Sequence, residues 1–131
     1  MGYNYSMAKH NETGELGERE AARYLEERGY RVIDRNYRKK WGELDIVAEK
    51  KGRIYFVEVK TVSHRYTGRD KFKPEDNMHP WKMQRLGRAI QTYLMEKFKK
   101  GEPDWQLDLA CVYIDSMSGE SKVEYIEDIV L

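Results

Sequence analysis

Two short strings hold the residues of this chain best suited to chemistry. Gly42-Glu43-Leu44-Asp45-Ile46-Val47-Ala48 carries two carboxylates, and Phe56-Val57-Glu58-Val59-Lys60-Thr61 carries a third with a lysine two residues on. Both are rich in the apolar residues that favour strands. Lys50, Lys51 and Gly52 separate them, so the two strings should form a β-hairpin, although the turn is not the favoured Asn-Gly pair. Side chains alternate faces along a strand. That rule puts Glu43, Asp45 and Val47 on one face and Leu44, Ile46 and Ala48 on the other. On the next strand Ile54, Phe56, Glu58 and Lys60 share a face. With Lys51 and Gly52 as the turn, Asp45 falls opposite Glu58 and Glu43 opposite Lys60. A one-residue slip would flip one strand's pattern. The charged residues then gather at the end away from the turn, and Val47, Ile54 and Phe56 fill the turn end.

Directly opposed residues have Cβ atoms about 4.5–5.5 Å apart, and like charges so placed repel. A divalent cation removes that repulsion. Mg²⁺ is commonly held by one or two carboxylates together with water and substrate phosphate; Asp45 and Glu58 supply these carboxylates, and the Val59 carbonyl lies beside them. The Lys60 ammonium would orient an attacking water and stabilise charge on phosphorus. The metal would lower the pKa of that water. Together these groups suit hydrolysis of a phosphodiester. Glu18 precedes Ala21, Ala22 and Leu25 at helical spacing, so it lies at the edge of a buried stripe and needs a partner there, either the metal through a water or the base. Plainer alternatives stay open: paired carboxylates facing solvent, Lys60 as an ion-pair partner of Glu43 or Glu58, and Glu18 on the helix surface.

Pattern also gives the secondary structure around these residues. Thr13 to Arg28 reads as a helix with Asn11 or Thr13 at its start and Gly29 after its end. Residues 1–12 precede it as a flexible extension, and 13–131 form a single domain. Tyr30–Tyr37, Leu44–Glu49 and Arg53–Thr61 read as strands. Val62–His79 is polar and reads as a long loop. Pro80 opens a second helix at its first position and Gly101 ends it, with Leu86, Ile90, Tyr93 and Leu94 as the apolar stripe. Leu107–Asp115 and Lys122–Ile126 read as two more strands. This order predicts an α/β domain with a mixed sheet of about five strands flanked by helices.

The composition narrows the function classes. The 131 residues are 40% hydrophobic and 36% charged with a net charge of +1, which suits a globular domain and leaves any nucleic-acid surface to local clustering. Arg35, Arg38, Lys39 and Lys40 form one basic cluster, and Lys71, Lys73, Lys82, Arg85 and Arg88 another; the second also reads as a solvated helix face. Cys111 is the only cysteine, so neither an internal disulfide nor a cysteine zinc site is available. His10, His64 and His79 lack metal-ligand spacing. A Gly-rich phosphate loop is absent. No apolar run is long enough to span a membrane, and a reducing cytoplasm is the simplest compartment.

The two strings, with Gly14, Gly17, Glu18, Ala21, Arg35-Asn36 and Arg85-Leu86, make the chain resemble the YraN-like family of bacterial proteins over nearly its whole length. That family is similar to the restriction-endonuclease-like superfamily, whose signature is an acidic residue followed by (Asp/Glu)-x-Lys. Asp45 fits the first acid and Glu58-Val59-Lys60 fits the tripeptide; the proline often written before the first acid is absent. Glu18 matches the first-helix glutamate of archaeal Holliday-junction resolvases. The resemblance implies a restriction-endonuclease-like fold, Mg²⁺ or Mn²⁺ as cofactor, and DNA as substrate, branched forms included. It implies Asp45, Glu58 and the Val59 carbonyl as metal ligands, Glu18 and Glu43 assisting, and Lys60 positioning water. Arg35, Asn36, Arg38, Lys82 and Arg85 would contact the nucleic acid. A homodimer follows by analogy with resolvases, which cut two strands symmetrically. The alternative reading is a non-catalytic nucleic-acid-binding module on a nuclease fold, since fold alone does not confer activity.

Overall fold

The computed structural model describes residues 5–64 and 79–131. Its elements run α1 (Tyr5–Glu27), β1 (Arg31–Lys39), β2 (Gly42–Lys50), β3 (Arg53–His64), α2 (Pro80–Lys97), β4 (Trp105–Asp115) and β5 (Ser121–Ile126). The strands form one mixed sheet whose spatial order follows the chain, β1-β2-β3-β4-β5. Adjacent pairs are antiparallel except β3 and β4, which run parallel. A parallel pair needs a crossover, and α2 lies within it. The mixed sheet flanked by helices is the architecture expected from the sequence.

The two helices pack on opposite faces of the sheet. Val47, Ile54, Phe56 and Leu107 meet Leu86, Ala89, Ile90, Tyr93 and Leu94 of α2. Ile46, Ala48, Val57, Ala110 and Val112 meet Ala21, Ala22 and Leu25 of α1. Two glycines allow the close approach of helix to sheet near the carboxylates. A Cβ on Gly17 would stand 1.8 Å from Thr61 Oγ1, and one on Gly42 would stand 2.5 Å from the Arg85 carbonyl oxygen.

Several boundaries differ from expectation. Helix α1 starts at Tyr5, before the expected start near Thr13. Asn11 and Thr13 therefore lie within the helix and do not cap it. Pro80 is at the start of α2 as expected, but the helix closes at Lys97, where the Phe98 N–H bonds to the Leu94 carbonyl, ahead of Gly101. Strand β3 continues through Val62 to His64 because its parallel pairing with β4 runs on to His64↔Asp115. The rest of the expected long loop, with Lys71 and Lys73, lies outside the described residues. Among the described residues, no helix is long and apolar enough to cross a membrane.

Candidate functional site

The site begins with the β2–β3 hairpin. Lys51 and Gly52 both have positive φ, 50° and 80°, the pattern of a type I′ turn that matches strand twist. Pairing proceeds from Lys50↔Arg53 to Ile46↔Val57. The next step of that register brings Asp45 to Glu58. There the backbone pairing gives way to a side chain: the Val59 N–H donates to Asp45 Oδ2 at 2.8 Å. On the other side of β2, Asn36 lies across from Asp45 in the β1 register and takes a φ of 51°, a left-handed conformation that asparagine tolerates better than most residues. Strict alternation breaks at this point. Leu44 packs with Val47 toward α2, whereas Ile46 and Ala48 pack toward α1. The expected grouping of Leu44 with Ile46 and Ala48 is thus corrected. The left-handed backbone of Asn36, across from Asp45 on β1, accompanies this break in alternation.

Burial then sets the electrostatics. Glu58 is 9% exposed, and its carboxyl is pushed up to about 7 by that burial first and by the nearby Asp45 second, with Lys82 opposing. Burial likewise raises Asp45; the Val59 N–H lowers it, Glu43 raises it, and Lys82 and a hydrogen bond to Glu58 lower it. Glu18 is raised by burial and then by Asp45, against a hydrogen bond from the Asn36 side chain and the charge of Arg38. Side chains from α1, β1, β2, β3 and α2 therefore act on one another at this end of the sheet.

The residues singled out from sequence do not all come together. Asp45 and Glu58 come together, with Glu18, Asn36, Arg38 and Glu43 close enough to act on them or on each other. Glu43 is exposed and pairs with Arg38 at 3.7 Å. Lys60 lies on the face of Glu58 but in register with Cys111, and its charge acts on that thiol. Arg35 and Arg85 are exposed at the periphery, Arg35 paired with Glu26 at 3.6 Å. Lys82 changes place. Sequence reading put it with the phosphate-contacting residues, yet its ammonium sits 3.2 Å from Glu58 Oε1. Only the docking of α2 brings it there; the signal in the sequence was its position in the first turn after Pro80. Among the described residues, no group of three His, Cys, Asp or Glu side chains is arranged to hold a metal ion. The carboxylates that could offer oxygens to an ion are Asp45 and Glu58, a set that would leave most of its coordination to water and would not make a closed structural site.

Comparison with known proteins places this constellation in a family. The profile of "Uncharacterised protein family UPF0102" matches residues 17–112, a span that contains Glu18, Asp45, Glu58, Lys60 and Lys82. The chain belongs to the UPF0102 family. A UPF0102 protein of Flavobacterium johnsoniae is 36% identical over 122 residues, 93% of this chain and 96% of its own length. One from Alkaliphilus metalliredigens is 42% identical over 115 residues, covering 88% of this chain and 94% of the relative. One from Wolinella succinogenes is 37% identical over 126 residues, 96% and 99% of the two chains. This UPF0102 member therefore aligns with its relatives almost end to end, and the carboxylate site lies inside the shared region.

Proposed function

We propose that this protein is a metal-dependent endonuclease that hydrolyses DNA phosphodiester bonds, branched or otherwise structured DNA included. The observation that carries this reading is the Asp45–Glu58 pair: two carboxyl groups from neighbouring strands, largely buried, within hydrogen-bonding reach, with Glu58 pushed up to about 7. Even with Lys82 beside it, such a pair resists full ionisation, and a further cation would favour the charged forms. Asp45, Glu58 and the Val59 carbonyl would hold Mg²⁺ or Mn²⁺. In a strand, a residue's N–H and C=O face the same edge, so the Val59 carbonyl shares the edge from which its N–H reaches Asp45. The bound ion would polarise a phosphoryl oxygen and lower the pKa of an attacking water. Lys82 neutralises Glu58; a divalent ion would take over that task and leave the ammonium to meet a phosphate. Lys60 supplies a second ammonium on the face of Glu58. Resemblance to the restriction-endonuclease-like superfamily supports the same reading. A homodimer, which would cut both strands, belongs to the same proposal.

The test is a panel of linear, nicked, flapped and four-way DNA incubated with Mg²⁺ or Mn²⁺. Cleavage is expected from the wild type. Asp45→Ala and Lys60→Ala should each lose roughly 100-fold or more of the rate with circular dichroism unchanged. A wild-type protein that cuts none of these with either metal overturns the proposal. One observation favours a second reading, a non-catalytic nucleic-acid-binding module: the Lys82 ammonium already balances Glu58 without a metal. That reading predicts salt-dependent DNA binding, no calorimetric signal for divalent ions and no cleavage.

A further inference from the structure

Between the β1–β2 turn and α2 lies a concave feature apart from the carboxylates. A groove of about 680 Å³ is lined by Trp41, Gln84, Gly87, Arg88, Gln91 and Thr92. Residues 84, 87, 88 and 91 follow the i, i+3, i+4, i+7 spacing of one helix stripe, and this stripe points away from the buried residues of α2.

Two observations mark the groove as built. The first is the way Trp41 is held. It is 40% exposed, yet its indole Nε1–H donates to Thr92 Oγ1 at 3.0 Å, and the Thr92 hydroxyl donates in turn to the Arg88 carbonyl at 2.8 Å. A relay of two hydrogen bonds fixes an exposed aromatic ring against the rim. The second is Gly87. A glycine inside a helix disfavours the helix about five-fold relative to alanine. Packing among the described residues does not demand it, because a Cβ at this position would meet only Leu131 Cδ1 at 4.0 Å. What a side chain there would occupy is the groove.

We infer that this groove takes an unpaired nucleobase of a DNA strand. The inference rests on the reading that nucleic acid is the substrate, and it narrows that substrate to DNA with unpaired bases. An indole face stacks on a base of any identity, but only on a base whose own face is free. The primary amides of Gln84 and Gln91 each present donors and an acceptor, the complement of a base edge. The Arg88 guanidinium matches the adjoining phosphate. Trp41 is four residues from Asp45, about 13 Å along an extended strand, so one strand would reach both places.

The test is binding of a labelled single-stranded oligonucleotide and of a blunt duplex of equal length, measured by fluorescence anisotropy with EDTA present so that no cleavage intervenes. The wild type should prefer the single strand. Trp41→Ala should weaken single-strand binding roughly five-fold or more and duplex binding little, and Trp41→Phe should recover most of the loss. Gly87→Gln should raise the thermal midpoint while weakening single-strand binding; a purely structural glycine would not separate the two. Trp41→Ala and Gly87→Gln that bind single strands like the wild type overturn the groove inference and leave the nuclease reading standing. The expected losses in a protein that cuts nothing with Mg²⁺ or Mn²⁺ would support the groove and overturn the nuclease. Absence of binding to either oligonucleotide overturns the groove inference, while cleavage of the DNA panel still judges the nuclease separately.

Discussion

Glu58 links the stability of the fold to the state of the site. Its carboxyl titrates near 7 in the folded chain, against an ordinary value of 4.5. A raised carboxyl pKa means that the folded state holds a proton the unfolded chain has already released. Its contribution is therefore fully present below about 4.5 and is lost as pH rises through about 7. Glu58→Gln keeps the shape and removes the titration. Urea denaturation from pH 4.5 to 8 should show the wild type losing on the order of 2–3 kcal/mol relative to Glu58→Gln; parallel profiles would refute the linkage. Addition of Mg²⁺ should reduce the loss at high pH, because an ion held by Asp45 and Glu58 favours their charged forms. Lys82 belongs to the same balance, and its ion pair with Glu58 was beyond reach of local pattern because the two residues are joined through separate elements.

At the scale of elements, close approach governs where the site forms. Gly17 seats α1 on Thr61 of β3, and Gly42 seats the start of β2 on the backbone of α2. The neighbours differ in kind. The Gly17 contact is with a side chain, whereas the closest Gly42 contact is a carbonyl that cannot be trimmed away. Gly17→Ala should cost about 1–3 kcal/mol, and Thr61→Ala should recover part of it. Gly42→Ala should cost at least as much, with no recovery from shortening the Arg85 side chain, as read by chemical denaturation of the single and double variants. The hairpin that bears Asp45 and Glu58 was legible from its alternation and its turn. The reversal of Leu44 was not, because it goes with a left-handed Asn36 on a neighbouring strand, which hydrophobic alternation does not reveal.

For the molecule as a whole, a second buried carboxylate serves to fasten the C-terminal segment. Asp108 is fully buried in β4. It accepts hydrogen bonds from Gln106 Nε2, the Tyr125 hydroxyl and the Asp128 N–H. The Ile129 N–H then bonds to the Leu107 carbonyl at 2.6 Å, and Ile129 packs against the core. Tyr125 also stacks on Tyr24 of α1, so the fastening reaches the other layer. Asp108→Ala strands several donors at once and should cost about 2–4 kcal/mol; Tyr125→Phe, which loses one, should cost about 1 kcal/mol. Thermal denaturation checks both. In sequence, Asp108 appears only as one polar residue in an apolar strand, since Tyr125 and Asp128 reach it from farther along the chain.

The amino-acid sequence by itself determined the order of elements, the mixed character of the sheet and the register that brings Asp45 to Glu58. These are local matters: hydrophobic period, a two-residue turn and the strong penalty for a one-residue slip. Tertiary structure decided which cation faces that pair, placing Lys82 against Glu58 and Lys60 beside Cys111. It also decided that Trp41 is pinned to Thr92 and that Asp108 is buried with its partners. The reason is physical. Register follows from neighbours along the chain, whereas burial and charge pairing depend on how α1, α2 and the C-terminal segment close around the sheet.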